Sequence, residues 1–425
     1  MKNIKLIIPM LLCIVLLAIL PATADEYISG KCGETVTWSL DLSSGLLTLK
    51  GEGAMIGNEI SEDDPWWEAI PWFPYCSKIK QVEIDEGITN IIDEAFGGCE
   101  NLLSVNSNKE GEVIIPDSVE RLGNNVFDGC KQITSVKFGK SITDISIGTF
   151  KGCSRLQRVN SEKTGEVVLS DSITKIDSGA FQGCGLIQTV QLGNSVIEIS
   201  DNAFYDCTSL ETINFPNTLK KIGDSAFSKC FKLNDVILPE SLEILGGFSA
   251  CTNFRNITVP GSVRIISHGA FSSMDNLETV IIEEGVTKLS WSMFTNSQIK
   301  DIYIPKSVTV IEWSAFLGCT VKNVYYGGTE QDWEKIHIEN FVNSTPLNED
   351  LSSSRFFYQA TPEDIGKWSD EEKTINLPED SSSTTPSENR FPWEITIALS
   401  ILLTVQITVL VILIIKRKRG VRDVA

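Results

Sequence analysis

The chain has 425 residues, 56 of them Asp or Glu against 36 Lys or Arg, for a formal net charge of −20. So acidic a chain argues against nucleic acid and anionic membrane surfaces as partners. It suits an exterior domain, for which cationic surfaces would be the complementary partners.

Residues 1–24 read as a secretory signal. Lys2 and Lys5 form a basic start, Leu6 to Leu20 an apolar stretch, and Ala22-Thr23-Ala24 a small-residue cleavage site. Residues 25–72 are expected to form an N-terminal β cap. At its end Trp66, Trp67, Pro71, Trp72, Phe73 and Tyr75 cluster. Such a cluster could be a carbohydrate or protein platform, but a repeat array needs a cover over its open first unit, and the cluster is assigned to that cover. Glu62-Asp63-Asp64 lacks the spaced oxygens of a calcium loop.

Residues 73–326 carry the dominant signal. Phe73, Phe96, Phe127, Phe150, Phe181, Phe204, Phe227, Phe248, Phe271, Phe294 and Phe316 recur at gaps of 23, 31, 23, 31, 23, 23, 21, 23, 23 and 22 residues. Cysteine follows three residues later nine times, with Met274 and Ser297 in the two remaining places. A period near 23 residues means stacked supersecondary units, a β-rich solenoid of about 23 residues per repeat. Within one unit, Ile213 and Phe215 alternate with polar neighbours as a short strand does, and Pro216-Asn217 turns the chain. Leu219 to Ile222 gives a second extended piece, and Asp224-Ser225-Ala226-Phe227 a tight turn. The two gaps of 31 each hold an eight-residue insert, at 106–113 and 160–167, which is expected to emerge as a loop on one face. The pair is either a neutral duplication or two neighbouring loops that touch a ligand.

The stretches "LPESLEIL", "IPDSVERLG" and "FPNTLKKIGDSAFSKCFKL" resemble the BspA-like leucine-rich repeat family. So do "CGETVTWSLDLSSGLLTLKGEGAM" before the repeats and "VYYGGTEQDWEKIHIEN" after them. The resemblance implies a right-handed, curved solenoid with one strand per repeat, displayed on a cell surface, in a family associated with adhesion to host proteins or other microbes and not with catalysis.

In the first strand of each repeat the residue between the two inward ones faces out. Down the array these are Glu83, Lys137, Gln191, Asn214, Ile237, Thr258, Ile281, Tyr303 and Tyr325. The strip turns apolar toward the C-terminal half, so Ile237, Thr258, Ile281, Tyr303 and Tyr325 are the candidate ligand-binding residues. Ordinary β-propensity in a half-exposed sheet would give the same residue types. Asn256-Ile257-Thr258 and Asn343-Ser344-Thr345 are sequons, making Asn256 and Asn343 candidate glycosylation sites.

Ten cysteines remain after the signal. Nine share one repeat position, where in-register side chains point parallel and fit disulfide geometry poorly, so they read as buried thiols. Cys32 stands apart in the cap, and its candidate disulfide partner is Cys76. No metal or cofactor is expected. His268 reads as a turn residue, His337 has no nucleophile signature beside it, and no catalytic motif occurs. No small-molecule substrate is inferred, and the chain is expected not to be an enzyme.

Residues 327–360 are expected to close the array with Tyr325, Tyr326, Trp333, Phe356, Phe357 and Tyr358. Residues 361–393, acidic and rich in Ser, Thr and Pro, read as an extended stalk. Ile395 to Ile415 is 21 residues without a charge, and Lys416-Arg417-Lys418-Arg419 follows. These residues are expected to form a transmembrane helix within 394–415 and a cytoplasmic tail at 416–425, placing the rest outside the plasma membrane. The expected function is a cell-surface adhesion or binding protein whose partners are extracellular proteins or cell surfaces. The alternative is a structural surface-coat protein without a defined ligand.

Overall fold

A computed structural model describes residues 26–58, 65–339, 351 and 353–366. Among them, strands are mostly two to five residues long and regular helix is confined to the single turn Glu330–Trp333. The proposed signal, most of the stalk and the proposed span lie outside the described residues. No helix among the described residues is long and apolar enough to cross a membrane.

Three antiparallel strands, Tyr27–Lys31, Thr37–Asp41 and Leu46–Lys50, start the fold. Their alternation buries Trp38, Leu40, Leu47 and Leu49 on one face. Leu46–Lys50 pairs in parallel with Gln81–Ile84, so the cap is itself the first rung of the repeat sheet. From there every pairing is parallel. One row runs through eleven strands from Tyr27–Lys31 to Thr212–Asn214 and resumes as five strands from Asn256–Val259 to Arg355–Tyr358. A second row of mostly two-residue strands, such as Lys221–Ile222 and Ile244–Leu245, runs alongside. Between the rows Val82, Val136, Val190 and Ile257 meet Ile91, Ile145, Ile199 and Ile266 in one continuous core.

The third side of each unit is the phenylalanine turn. Rings from Phe96 to Phe316 stack in sequence with centroids 5.2 to 6.0 Å apart, the closest pair being Phe227 and Phe248 and the widest Phe248 and Phe271. Two residues before and two residues after the phenylalanines from Phe96 to Phe316 the backbone enters the left-handed region, as at Asn202 (φ 56°) and Asp206 (φ 60°) around Phe204, except two residues before Phe248. Glycine, Asn, Asp and Ser tolerate that region best, which explains their recurrence there. From Cys130 to Cys251 each ladder thiol then donates to the phenylalanine carbonyl of the preceding unit. Cys130, Cys153, Cys184, Cys207 and Cys230 reach Phe96, Phe127, Phe150, Phe181 and Phe204 at 3.2 Å. Ser297 does the same to Phe271 at 2.8 Å, which accounts for its replacing cysteine.

Two expectations change. The first ring of the stack is Trp72, not Phe73: Trp72 is fully buried, stacks on Phe96 at 6.4 Å and donates its Nε1–H to Ala95 O at 2.6 Å. Phe73 is half-buried beside Trp67. The short 3₁₀ helices Trp66–Ala69 and Phe73–Lys78 shift the cap by one residue relative to the repeats. The eight-residue inserts, in turn, are not loops that leave the fold. Asn106 (φ 49°) and Gly111 (φ 80°) fold the first back so that Val105 pairs with Val113, and Asn160 and Gly165 do likewise for Val159 and Val167. Each insert is an added rung in the long row.

At the C-terminal end aromatics pack over the last strands. Trp333 lies 5.1 Å from Tyr326 and 4.9 Å from Phe356, both edge-on. Thr329 caps the turn that delivers Trp333, its hydroxyl accepting from Asp332 N while the Asp332 carboxylate accepts from Thr329 N.

Candidate binding face

The outward strip divides into three parts. In the N-terminal part the side chains are polar and engage one another. Lys137 Nζ lies 3.5 Å from Glu112 and 3.3 Å from Glu162, Gln191 donates to Glu166 at 3.1 Å, and Glu83 is exposed. The inserts supply the acids: Ser107 and Ser161 donate to Glu112 and Glu166 at 2.5 Å. The hydrogen bond from Ser107 holds Glu112 below the usual carboxylate range, helped by Lys109 and Lys137. Asn214 is tied back, its Oδ1 accepting from Leu192 N at 2.8 Å.

In the middle part the row is broken. Residues 235–239 form no strand although Val236 and Leu238 still point inward and are buried. Asp235 occupies the position held by Thr189 and Thr212 in neighbouring strands. Its carboxylate takes the N–H groups of Arg255 at 2.7 Å and Asn256 at 3.0 Å, replacing strand carbonyls with a side chain. Ile237 is left 90% exposed. The same unit is short, spanning 21 residues from Phe227 to Phe248. The contraction falls at Gly246, where a Cβ would stand 1.8 Å from Gly223 O. Asn256 is exposed, and its Nδ2 donates to Asp235 at 2.8 Å. Asn343 lies outside the described residues.

In the C-terminal part Thr258, Ile281, Tyr303, Tyr325 and Phe357 stand side by side across five strands. Thr258 is exposed and Ile281 half-buried, but Tyr303 is 8% and Tyr325 1% exposed. Their assignment to an open binding face is therefore corrected. The chain turns back after Arg355–Tyr358, and Ala360 and Ile365 close over the tyrosines. Gly366 N donates to the Tyr325 hydroxyl at 3.2 Å, and Thr361 and Asp364 cap the turn Pro362–Asp364. Burial pushes both phenols above the ordinary tyrosine value. The start of the expected stalk, 361–366, is thus a strap on the sheet. Its signal was present in Thr361-Pro362-Glu363-Asp364, a capping box, but its partners Tyr325 and Tyr303 lie far back in sequence.

Beside this part, at the starts of the longer strands Gln298–Ile304 and Thr320–Tyr326, a groove of about 520 Å³ is lined by Arg255, Glu278, Lys300 and Lys322 among others. These two strands are long because their units lack one residue between the ladder position and the sheet, Ser297-Gln298-Ile299 replacing the usual spacing of Cys207-Thr208-Ser209-Leu210. A further row went unread in the sequence. His268, Trp291 and Trp313, each three residues before a ladder phenylalanine, stand with rings 5.0 and 5.4 Å apart on the turn side.

All ten described cysteines are buried free thiols, so the pairing of Cys32 with Cys76 is also corrected. Cys32 sits inside the cap, where burial pushes its thiol up to about 11. Cys76 is directed the other way, its sulfur 3.9 Å from Gly97 O in the next unit. Among the described residues no group of three or more His, Cys, Asp or Glu stands close enough to hold a metal ion.

Parallel short strands, a stacked phenylalanine turn and capped ends define a leucine-rich repeat solenoid. The model of the BspA type leucine rich repeat region, in six copies, matches residues 71–164, 159–247 and 245–348, more than half of the chain. The chain belongs to the BspA-type leucine-rich repeat family. Among solved structures, a leucine-rich repeat protein from Bacteroides ovatus ATCC 8483 is 22% identical, covering 77% of this chain and 91% of its own, with a TM-score of 0.45. One from Eubacterium ventriosum ATCC 27560 is 17% identical over 70% and 87%, with a TM-score of 0.44. A leucine rich cell surface protein from Faecalibacterium prausnitzii A2-165 is 20% identical over 74% and 99%, with a TM-score of 0.36. No curated protein matches the chain.

Proposed function

We propose that the chain is a cell-surface binding protein, held by a C-terminal single span, whose solenoid engages proteins or cell surfaces through the middle of the outward strip. The carrying observation is Ile237, 90% exposed where the sheet is interrupted. A large aliphatic side chain held that far into water contributes nothing to the core, and a contiguous apolar patch rimmed by polar residues marks an interaction site. Thr258 and the half-buried Ile281 continue the surface, and Arg255, Glu278 and Lys300 border it. A glycan on Asn256 would take one of the two hydrogens of the Nδ2 that donates to Asp235 and would shade this patch, so sequon use would tune the site.

The test is Ile237→Asp in the full-length protein, assayed by biosensor against extracellular-matrix proteins and whole cells. The fold should be unchanged, within about 0.5 kcal/mol of the parent, because the side chain is on the surface. Binding should weaken at least about tenfold, as loss of a central apolar contact costs over 1 kcal/mol. Equal saturable binding by variant and parent moves the site elsewhere. Failure of the parent to bind any surface saturably, together with self-association, favours the coat-protein reading.

A further inference from the structure

The long row of strands starts on an open edge, Tyr27–Lys31. This strand pairs antiparallel with Thr37–Asp41, Tyr27 opposite Asp41 and Lys31 opposite Thr37. Two flanking hydrogen bonds, Leu42 N to Glu26 O at 2.7 Å and Cys32 N to Val36 O at 3.0 Å, fix which backbone groups face that neighbour. Bonded and non-bonded pairs alternate in an antiparallel ladder, so the N–H and C=O groups of Ile28 and Gly30 are committed to Thr37–Asp41. Those of Tyr27, Ser29 and Lys31 point to the other side, where no strand stands among the described residues. Every residue of the strand except Ile28 is exposed, Tyr27 at 65%. Proline and bulges, which blunt a free edge, are absent from it, and it carries one lysine.

We propose that this edge pairs with the same edge of a second copy of the chain, antiparallel about a two-fold axis at Ser29. In that register Ser29 meets Ser29 of the second copy, Tyr27 meets its Lys31, and Ile28 meets its Gly30. The three outward residues of each copy then become bonded pairs, each exchanging two backbone hydrogen bonds. The side chains suit the same register. A Cβ on Gly30 would stand 2.8 Å from Trp38 Nε1, so the indole lies against bare backbone there. Ile28 is half-buried on the cap core that includes Trp38. Ile28 of the second copy, set opposite Gly30, comes beside that indole and carries the apolar face across the axis. On the other face Lys31 falls beside Tyr27 of the second copy rather than beside a second lysine, so its ammonium meets a ring and not a like charge. Self-complementarity about one residue is what a two-fold contact requires. Five residues per copy make a small interface, which gives a reversible dimer. The contact leaves the patch around Ile237 untouched and stands or falls separately from it.

The test is oxidative cross-linking of the full-length protein in detergent, read on non-reducing gels. Directly opposed bonded residues are about 5.5 Å apart at Cα, within the roughly 4.4–6.8 Å that a disulfide spans. Two copies of residue 27 would be offset by roughly 13 Å along the strands. The ten described cysteines are buried, so the parent supplies the background. Ser29→Cys should give at least about tenfold more covalent dimer than Tyr27→Cys or Lys31→Cys alone. Tyr27→Cys combined with Lys31→Cys should restore the dimer, because each new thiol then faces the other across the axis. All three positions are exposed in the monomer, so the variants should keep the parent's circular dichroism. Dimer from Ser29→Cys no greater than from Tyr27→Cys overturns the proposal, as does failure of the double variant to cross-link. Covalent species larger than two copies in the double variant also overturn it, since they place the edge in an open chain of copies instead of a closed pair.

Discussion

At the scale of the residue, the fold rests on one side chain per unit. Phe204 is fully buried, with rings 5.3 Å from Phe181 and 5.4 Å from Phe227. Phe204→Ala opens a cavity shared by two interfaces and should cost about 3–5 kcal/mol. It is read as a lower urea midpoint with a broader transition near that unit, because stability in repeat arrays is passed between neighbours. An unchanged midpoint would show that the ring stack is not the main support. This residue was plain in the sequence because a repeat turns one chain position into one place in space. The thiols read as buried for the same reason. What the period does not encode is their carbonyl partner, so the serine at 297 gained its meaning only from the 2.8 Å bond to Phe271.

At the scale of the element, four features escaped the sequence for four physical reasons. The exchange of Phe73 for Trp72 is a choice between adjacent aromatics, decided by the 3₁₀ turns of the cap. The inserts return to the sheet because Asn106, Gly111, Asn160 and Gly165 take left-handed backbone, which spacing alone does not reveal. The strap covers Tyr303 and Tyr325 across a long sequence separation, so residue alternation correctly turned those tyrosines outward and then had no way to see what lies over them. Ile365→Asp should therefore lift the strap. Hydrogen exchange should quicken across 360–366 while the strands around Phe204 keep their protection. Uniform exchange in parent and variant would mean that Ile365 does not hold it. The break at 235–239 is also element-scale: the apolar pattern of Val236 and Leu238 is intact, and only the Asp235 carboxylate shows why pairing stops.

At the scale of the whole array, the buried thiols act together on pH dependence. In the native state burial keeps Cys32 protonated up to about 11 and Cys230 up to about 12, and raises Cys130, Cys184, Cys207 and Cys251 as well. Unfolded thiols ionise near about 8.5. Above that pH the unfolded state binds fewer protons than the native one, so stability falls as pH rises, by up to about 1.4 kcal/mol per thiol per pH unit. The urea midpoint with a phosphine reductant present should be lower at pH 10 than at pH 7.5, and an equal midpoint would place the thiols in water. The inserts carry a consequence of another kind, for inheritance. Asn106, Asn160 and Asn214 stand 54 residues apart, and their Oδ1 atoms accept the backbone N–H of Ile84, Phe138 and Leu192 at 2.7 to 2.8 Å. The first two open an insert and the third does not, yet the contact is the same. Eight codons can therefore be gained or lost at this asparagine, by slippage or unequal exchange between the duplicated blocks, while every phenylalanine keeps its place in the stack. Alleles of different length would share one core, and the variation would fall on the outer row.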